Sequence, residues 1–207
     1  MEKNIAILMA DLSGYTALTE THGAVAAADL IDRYIQIVKS CLKGDCRLHE
    51  RTGDEIMVVS SSPDFLLATA AMIGKLTSNE EYFLQIHGGL HYGKVLQREN
   101  RYFGSAINLT SRIASKANAG SFWCSDEFVN ALSDKNQFPL TSKGNQVFKN
   151  VSIEKQIFEL NILEEKAVYV DPICRMLILD TSTAISHPEE NGKYFCSPDC
   201  LAIYDAT

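Results

Sequence analysis

Apolar and polar positions follow one another along this chain in blocks that predict its elements in turn. Ile5–Met9 is a short apolar run of the kind a buried strand makes, and Asp11 follows at its end. Val25, Ala28, Leu30, Ile31, Tyr34, Ile35, Val38 and Leu42 recur at helical spacing and predict an amphipathic helix over roughly 23–43. Arg47–Arg51, a turn at Thr52-Gly53 and Ile56–Val59 read as a β-hairpin with Asp54 beside its turn. Ser62-Pro63 opens a second helix to about 77, its proline in the first turn, where a missing N–H is tolerated. Tyr82–His87 and Leu90–Leu96 read as two strands joined at Gly88-Gly89. A third helix is predicted over about 105–117, stopped by Asn118-Ala119-Gly120. A strand over 121–124, a short helix near 126–133 and strands near 146–149 and 155–161 follow.

The order β-α-β-β-α-β with added elements predicts an α+β, ferredoxin-like sandwich, with helices on one face of a mostly antiparallel sheet. The pattern breaks around Glu164-Glu165-Lys166 and restarts with turn chemistry at Asp171-Pro172. A boundary is therefore expected near 165–169, with residues 1–165 as the main domain and 169–204 as a small appendix.

Composition changes this picture in two respects. The balance of 19 Lys+Arg against 26 Asp+Glu leaves −7, which disfavours a nucleic acid or an anionic lipid surface as partner. No apolar stretch approaches the ~20 residues of a membrane span, and the six-residue run Ile5–Ala10 is too short for an anchor or signal peptide. The expectation is a cytoplasmic chain, with no membrane and no nucleic-acid partner. Six cysteines then need a reading other than disulfides. Cys41, Cys46 and Cys124 are scattered and read as reduced structural thiols. Cys174, Cys196 and Cys200 crowd the end, which favours metal or redox chemistry.

Candidate chemistry gathers at a few positions. Asp11 and Asp54 fall at the ends of neighbouring strands; each alone is an ordinary turn residue, but together they are hard oxygen ligands suited to Mg²⁺ on a triphosphate. Asn108 and Arg112 are four apart on the third helix and share a face, while Ala106, Ile107 and Ile113 bury the other side. An amide and a guanidinium aimed together can orient a ribose and neutralise a phosphoryl oxygen.

The stretches Ala10-Asp-Leu-Ser-Gly-Tyr-Thr16, Thr52-Gly-Asp-Glu-Ile-Met57, Ile86-His-Gly-Gly-Leu-His-Tyr-Gly93 and Phe103-Gly-Ser-Ala-Ile-Asn-Leu-Thr-Ser-Arg112 resemble, in order, the signature stretches of class III nucleotidyl (adenylate/guanylate) cyclases. The resemblance covers roughly residues 1–163. It implies that Asp11 and Asp54 hold two Mg²⁺ or Mn²⁺, that Asn108 orients the ribose, and that Arg112 stabilises the transition state at the α-phosphate. It places Lys149 against the terminal phosphates, with Asn150 where the family usually has glycine. It implies a homodimer, with aspartates from one subunit meeting the Asn/Arg pair of the other. The reaction implied converts a nucleoside triphosphate to the 3′,5′-cyclic nucleotide and pyrophosphate.

The positions that select the base depart from the usual pattern, with Glu50 and Arg101 at places where ATP enzymes generally carry lysine and aspartate or threonine. A carboxylate accepts from guanine N1–H and the 2-amino group, and Arg101 can donate to O6. The same pair suits uracil, or forms a salt bridge and ignores the base. ATP, GTP and pyrimidine substrates stay open, as does a catalytically silent nucleotide-binding module.

Residues 169–204, with Asp171-Pro-Ile-Cys-Arg-Met176 and Lys193-Tyr-Phe-Cys-Ser-Pro-Asp-Cys200, are similar to the small YHS domain, a treble-clef-like metal-binding module. Cys174, Cys196 and Cys200 would offer three sulfur ligands to Zn²⁺ or another soft metal. Met176 and His187 are the candidates for a fourth. His22, His49, His87 and His91 have no ligand-like spacing and read as packing or surface residues. The tail is expected to tune the cyclase in response to metal or redox state.

Overall fold

The computed structural model describes residues 1–136, 138–151, 153–161 and 169–207. Its main body is built on β1 (Glu2–Leu12), α1 (Tyr15–Cys41), β2 (Arg47–Thr52), β3 (Glu55–Ser60), α2 (Pro63–Thr77) and β4 (Ile86–Arg98). β5 (Arg101–Phe103), α3 (Ser105–Lys116), β6 (Phe122–Ser125), α4 (Asp126–Asn130), β7 (Leu140–Gln146) and β8 (Lys155–Leu160) complete it. The sheet runs β2-β3-β1-β4-β6-β8-β7, with β5 paired to β4. All its pairings are antiparallel except β4 with β6.

β1 explains why its apolar run is unbroken. Ala6, Leu8 and Ala10 pack with Leu30, Ile31, Tyr34 and Val38 of α1 and with Leu66, Ala70 and Ile73 of α2. Ile5, Ile7 and Met9 point the other way, into a cluster with Ala106 and Ala114 of α3. A strand covered on both sides loses the apolar/polar alternation and reads as continuous. Helices therefore lie on both faces of the sheet, not on one as the element order suggests.

The glycine pair was misleading for a related reason. Gly88 and Gly89 lie inside the single strand β4, paired with Ala10 and Met9. A Cβ on Gly89 would come 2.5 Å from the Ala114 nitrogen and 2.7 Å from the Thr110 oxygen; one on Gly88 would meet the Phe122 ring at 2.8 Å. The pair lets the α3 backbone lie on the sheet; it makes no turn. The strand expected near 146–149 is also displaced: β7 ends at Gln146, and residues 147–150 form a loop.

α1 begins earlier than its apolar spacing predicts. Gly23 interrupts it with φ 82° and ψ 171°, so a first segment from Tyr15 precedes the amphipathic one. The helix α2 matches its predicted span, capped by Ser62, whose Oγ accepts from the Phe65 N–H. No helix among the described residues is long and apolar enough to cross a membrane.

The boundary expected near 165–169 falls largely on residues 162–168, outside those described. Beyond it lie two short hairpins, β9 (Tyr169–Val170) with β10 (Leu177–Ile178) and β11 (Ile185–Ser186) with β12 (Tyr194–Phe195), then α5 (Pro198–Asp205). This tail docks on the segment leading into β4. The Leu177 N–H donates to the Phe83 carbonyl at 2.6 Å, the Tyr82 N–H to the Leu177 carbonyl at 3.0 Å, and the Leu179 N–H to Glu81 Oε2 at 3.0 Å.

Candidate active site

Asp11 is the penultimate residue of β1, opposite His87 of β4, and Asp54 sits in the β2–β3 turn after Gly53. Gly53 takes φ 63°, a left-handed conformation that supports the tight turn. The two carboxylates come together there. Partial burial, and then the Asp11 carboxylate beside it, push Asp54 up to about 7. Glu55 is raised too, by burial and then by Asp11 and Glu50. Tyr34 of α1 is fully buried within electrostatic range of both aspartates. Its hydroxyl has no hydrogen-bond partner among the described residues.

Crowded carboxylates without a cation to pair with, beside an orphaned hydroxyl, are the surroundings a hard divalent ion would relieve. The donor set therefore fits Mg²⁺ or Mn²⁺. Among the described residues neither aspartate forms an ion pair.

The other half of the predicted site is built on α3. Asn108 and Arg112 both line a cleft of about 530 Å³, with Lys94 of β4, Asn150 and Lys155 around it. Leu109 and Ile113 pack under the helix with Trp123, Phe148 and Ile157, which fixes the direction in which the polar pair points. Among the described residues neither side chain is tied to another by a hydrogen bond or ion pair, so amide and guanidinium are free to meet a ligand.

Lys149 lies in the 147–150 loop and is exposed, adjacent to the cleft-lining Asn150. Asn150 has φ 59°, the left-handed conformation that glycine adopts easily and asparagine tolerates. That accounts for asparagine in a position where the resemblance leads one to expect glycine. The buried Phe148 anchors the loop.

The aspartate pair and the α3 pair do not meet within one chain. His87 is opposite Asp11, whereas His91 and Lys94, on the wall of the cleft, are four and seven residues further along β4. At ~3.3 Å per residue, those offsets are roughly 13 Å and 23 Å along the strand. Glu50 and Arg101 are not joined either. Glu50 borders a small hollow with Met9, Glu55 and Met57, Arg101 is exposed on β5, and no ion pair links them among the described residues.

Two cleft residues, Glu127 and Lys155, carry no signal in the sequence, and a third, His91, reads there as packing or surface. Lys155 pairs with Glu127, and His91 Nδ1 lies 2.8 Å from Ser125 Oγ. Burial holds His91 down at about 4, with Glu127 raising and Lys155 lowering it. As singletons on β4, α4 and β8 they carry no local pattern. His87 bonds Ser13 Oγ at 2.9 Å, and the His49 ring lies tilted against Tyr102 with 4.7 Å between ring centres. Cys41, Cys46 and Cys124 are buried free thiols.

In the tail, Cys174, Cys196 and Cys200 come together as their spacing suggests. Cys174 Sγ lies 3.4 Å from Cys196 Sγ, which lies 3.7 Å from Cys200 Sγ. Of the two side chains suggested as a fourth ligand, His187 is turned elsewhere. It is engaged with Asp205 at 3.0 Å, while Met176 packs between the main core and the cluster of Cys174, Phe195 and Cys200. His22, read from the sequence as packing or surface, takes the place instead: its Nε2 is 3.5 Å from Cys196 Sγ and 3.6 Å from Cys200 Sγ. The partner lies 174 residues away from Cys196 in sequence, and the first segment of α1 that carries it was not predicted.

A fold with the aspartates at the end of β1 and in the next hairpin, and an Asn/Arg pair on the helix across the sheet, can be compared with known proteins. The family model for the adenylate and guanylate cyclase catalytic domain matches residues 1–161, and the chain belongs to that family. It is 31% identical over 153 residues to an uncharacterized protein of Mycobacterium tuberculosis, covering 73% of this chain and 40% of that one. It is 25% identical over 167 residues to an adenylate cyclase of Glutamicibacter nicotianae, covering 80% of this chain and 41% of that one. The chain thus spans about two-fifths of the length of these curated relatives. In fold it is similar to an adenylate cyclase of Trypanosoma brucei solved in its monomeric state, with a TM-score of 0.73 at 19% identity, over 86% of this chain and 93% of that one.

Proposed function

We propose that this chain is a nucleotidyl cyclase that converts ATP or GTP to the 3′,5′-cyclic nucleotide and pyrophosphate at sites shared between two copies. The observation that carries this reading is the division of the site. Asp11 and Asp54 stand together, Asn108 and Arg112 line one cleft, none of the four is ion-paired among the described residues, and along β4 the two groups are separated. A two-fold pairing of copies gives two equivalent composite sites, because each copy offers the half the other lacks.

In such a site Asp11 and Asp54 would hold two Mg²⁺ or Mn²⁺, which supply charge neutralisation at the phosphates and activation of the attacking hydroxyl. The chain's own residues do the rest. Asn108 holds the ribose so that its 3′-hydroxyl faces the α-phosphate in line with the leaving pyrophosphate. The Arg112 guanidinium donates to the α-phosphoryl oxygens as their charge grows. Lys149, exposed on its loop, meets the terminal phosphates. Glu50 and Arg101, neither paired with the other, are left to contact the base. The tail docks against the segment entering β4, where Gln85 accepts the Ser13 N–H, and through that segment it would influence the Asp11 loop.

The test is a turnover assay of the purified chain with Mn²⁺ or Mg²⁺ and each of ATP, GTP, UTP and CTP. A cyclic product from ATP or GTP is expected. Cyclic product from none of the four, with nucleotide still bound, would replace the enzyme reading with that of a binding module. Cyclic product from UTP or CTP alone would move it to a pyrimidine cyclase.

A further inference from the structure

Four soft or borderline donors converge where the tail meets α1. Sγ of Cys174, Cys196 and Cys200 and Nε2 of His22 all lie within 4.8 Å of one another. A tetrahedral ion with bonds of about 2.3 Å to sulfur and about 2.0 Å to nitrogen requires S···S edges of roughly 3.8 Å and S···N edges of roughly 3.5 Å. The S···S edges of 3.4 and 3.7 Å and the S···N edges of 3.5 and 3.6 Å are close to those values. A disulfide, at ~2.05 Å, would draw two sulfurs far closer, and all three cysteines are free thiols.

The ligand loops are held in place by bonds of their own. Asp171 is fully buried; its Oδ1 accepts the N–H groups of Ile173 and Cys174, and its Oδ2 accepts the N–H of Cys196 at 2.8 Å. Ser197 Oγ caps α5 by accepting the Cys200 N–H. On the other side the kink at Gly23 ends the first segment of α1 directly after His22. A residue with a Cβ would be strained at that φ of 82°, so the glycine sets where the imidazole is presented.

We propose that His22 is the fourth ligand of a Cys₃His site for a tetrahedral, thiophilic divalent ion of the Zn²⁺ class, which ties the C-terminal tail to helix α1. Binding displaces protons from the three thiols and leaves neutral imidazole bound through Nε2. The ion crosslinks the tail to the first segment of α1. The cluster Cys174, Phe195 and Cys200 is a very small core for a module of this size. The crosslink ends on the helix that follows the Asp11 loop, so occupancy sets how firmly the tail is held beside that loop. The donor set lies wholly outside the cleft on α3, and the proposal stands independently of the cyclase reading.

The full chain is loaded with Zn²⁺, and bound metal is counted by elemental analysis; a second sample is loaded with Co²⁺ and its absorption recorded. One ion per chain is expected, with a thiolate-to-cobalt charge-transfer band and the intense visible bands of four-coordinate cobalt. His22→Ala should weaken Zn²⁺ binding at least about tenfold, since even an outer-shell partner is worth that much, and should alter the cobalt spectrum. His22→Cys should still bind one ion, with added charge-transfer intensity from a fourth thiolate. His187→Ala should change nothing. A native chain that takes up no ion, or that holds Cys174 and Cys196 as a disulfide instead, overturns the proposal. So does His22→Ala with unchanged affinity and spectrum. Circular dichroism checks the fold of each variant; should His22→Ala unfold, failure of a folded His22→Cys to bind an ion overturns the proposal by itself.

Discussion

The two faces of the sheet differ in how completely they are covered. α1 and α2, with Phe128 and Val129 of α4, seal one face with a broad layer that includes Tyr34, Leu66, Phe122 and Phe128, all without solvent exposure. The opposite face has α3 over β1 and β4, and leaves β2 mostly exposed. The sealed face provides stability. The half-open face carries the cleft with Asn108 and Arg112, the hollow at Glu50 and a buried neutral histidine. A sheet closed on both sides would bury its core better but would leave no room for the proposed nucleotide and second copy.

Substitutions on the two faces should therefore separate activity from stability. The largest effect is expected on the half-open face. Arg112→Ala should lower turnover by about 10²–10³, the loss typical of removing one donor to a developing oxyanion, with thermal stability unchanged. Unchanged turnover would break the assignment. On the sealed face Leu66→Ala removes a fully buried side chain. It should cost about 2–5 kcal/mol in denaturant unfolding, with turnover per folded molecule preserved.

His91 gives the half-open face a pH dependence. Its imidazole takes a proton near 6.5 in the unfolded chain and only near 4 when buried in the fold. Between those values the unfolded state holds more protons, so stability falls as pH drops from 6.5 to 4, by on the order of 3 kcal/mol. His91→Gln should flatten that part of the stability–pH curve; an equally steep curve would assign the acid sensitivity elsewhere. A further substitution, at Gly89, would set a methyl 2.5 Å from the α3 backbone, a clash that only a shift of helix or strand relieves. Gly89→Ala should cost about 1–3 kcal/mol, read as a lowered thermal midpoint.

What the sequence disclosed and what it hid follow from the range of the interactions concerned. The β2–β3 hairpin, α2 and α3 depend on local periodicity and capping, and they were legible. Asp11, Asp54, Asn108 and Arg112 could be singled out because each sits inside a contiguous stretch with a family likeness, and the fold brings together the two members of each pair. Gly88-Gly89 looked like a turn because its cause, the α3 backbone lying on β4, comes from residues more than twenty positions later. The coverage of both faces by helices was hidden because an apolar strand does not say from which side it is buried. His22 was hidden most completely. A histidine carries no local signature of ligation, and its sulfur partners are at the other end of the chain.

The central claim is that one copy's aspartates work with another's Asn108 and Arg112. Mixing two inactive variants tests it most directly. Asp54→Ala and Arg112→Ala, each nearly silent alone, are combined in equal amounts under conditions that exchange subunits, and cyclic nucleotide formation is measured. Half the dimers are then mixed, and each mixed dimer keeps one intact site of two, so about a quarter of native activity should return. A mixture as silent as its components, with subunit exchange verified, would contradict a site shared between copies.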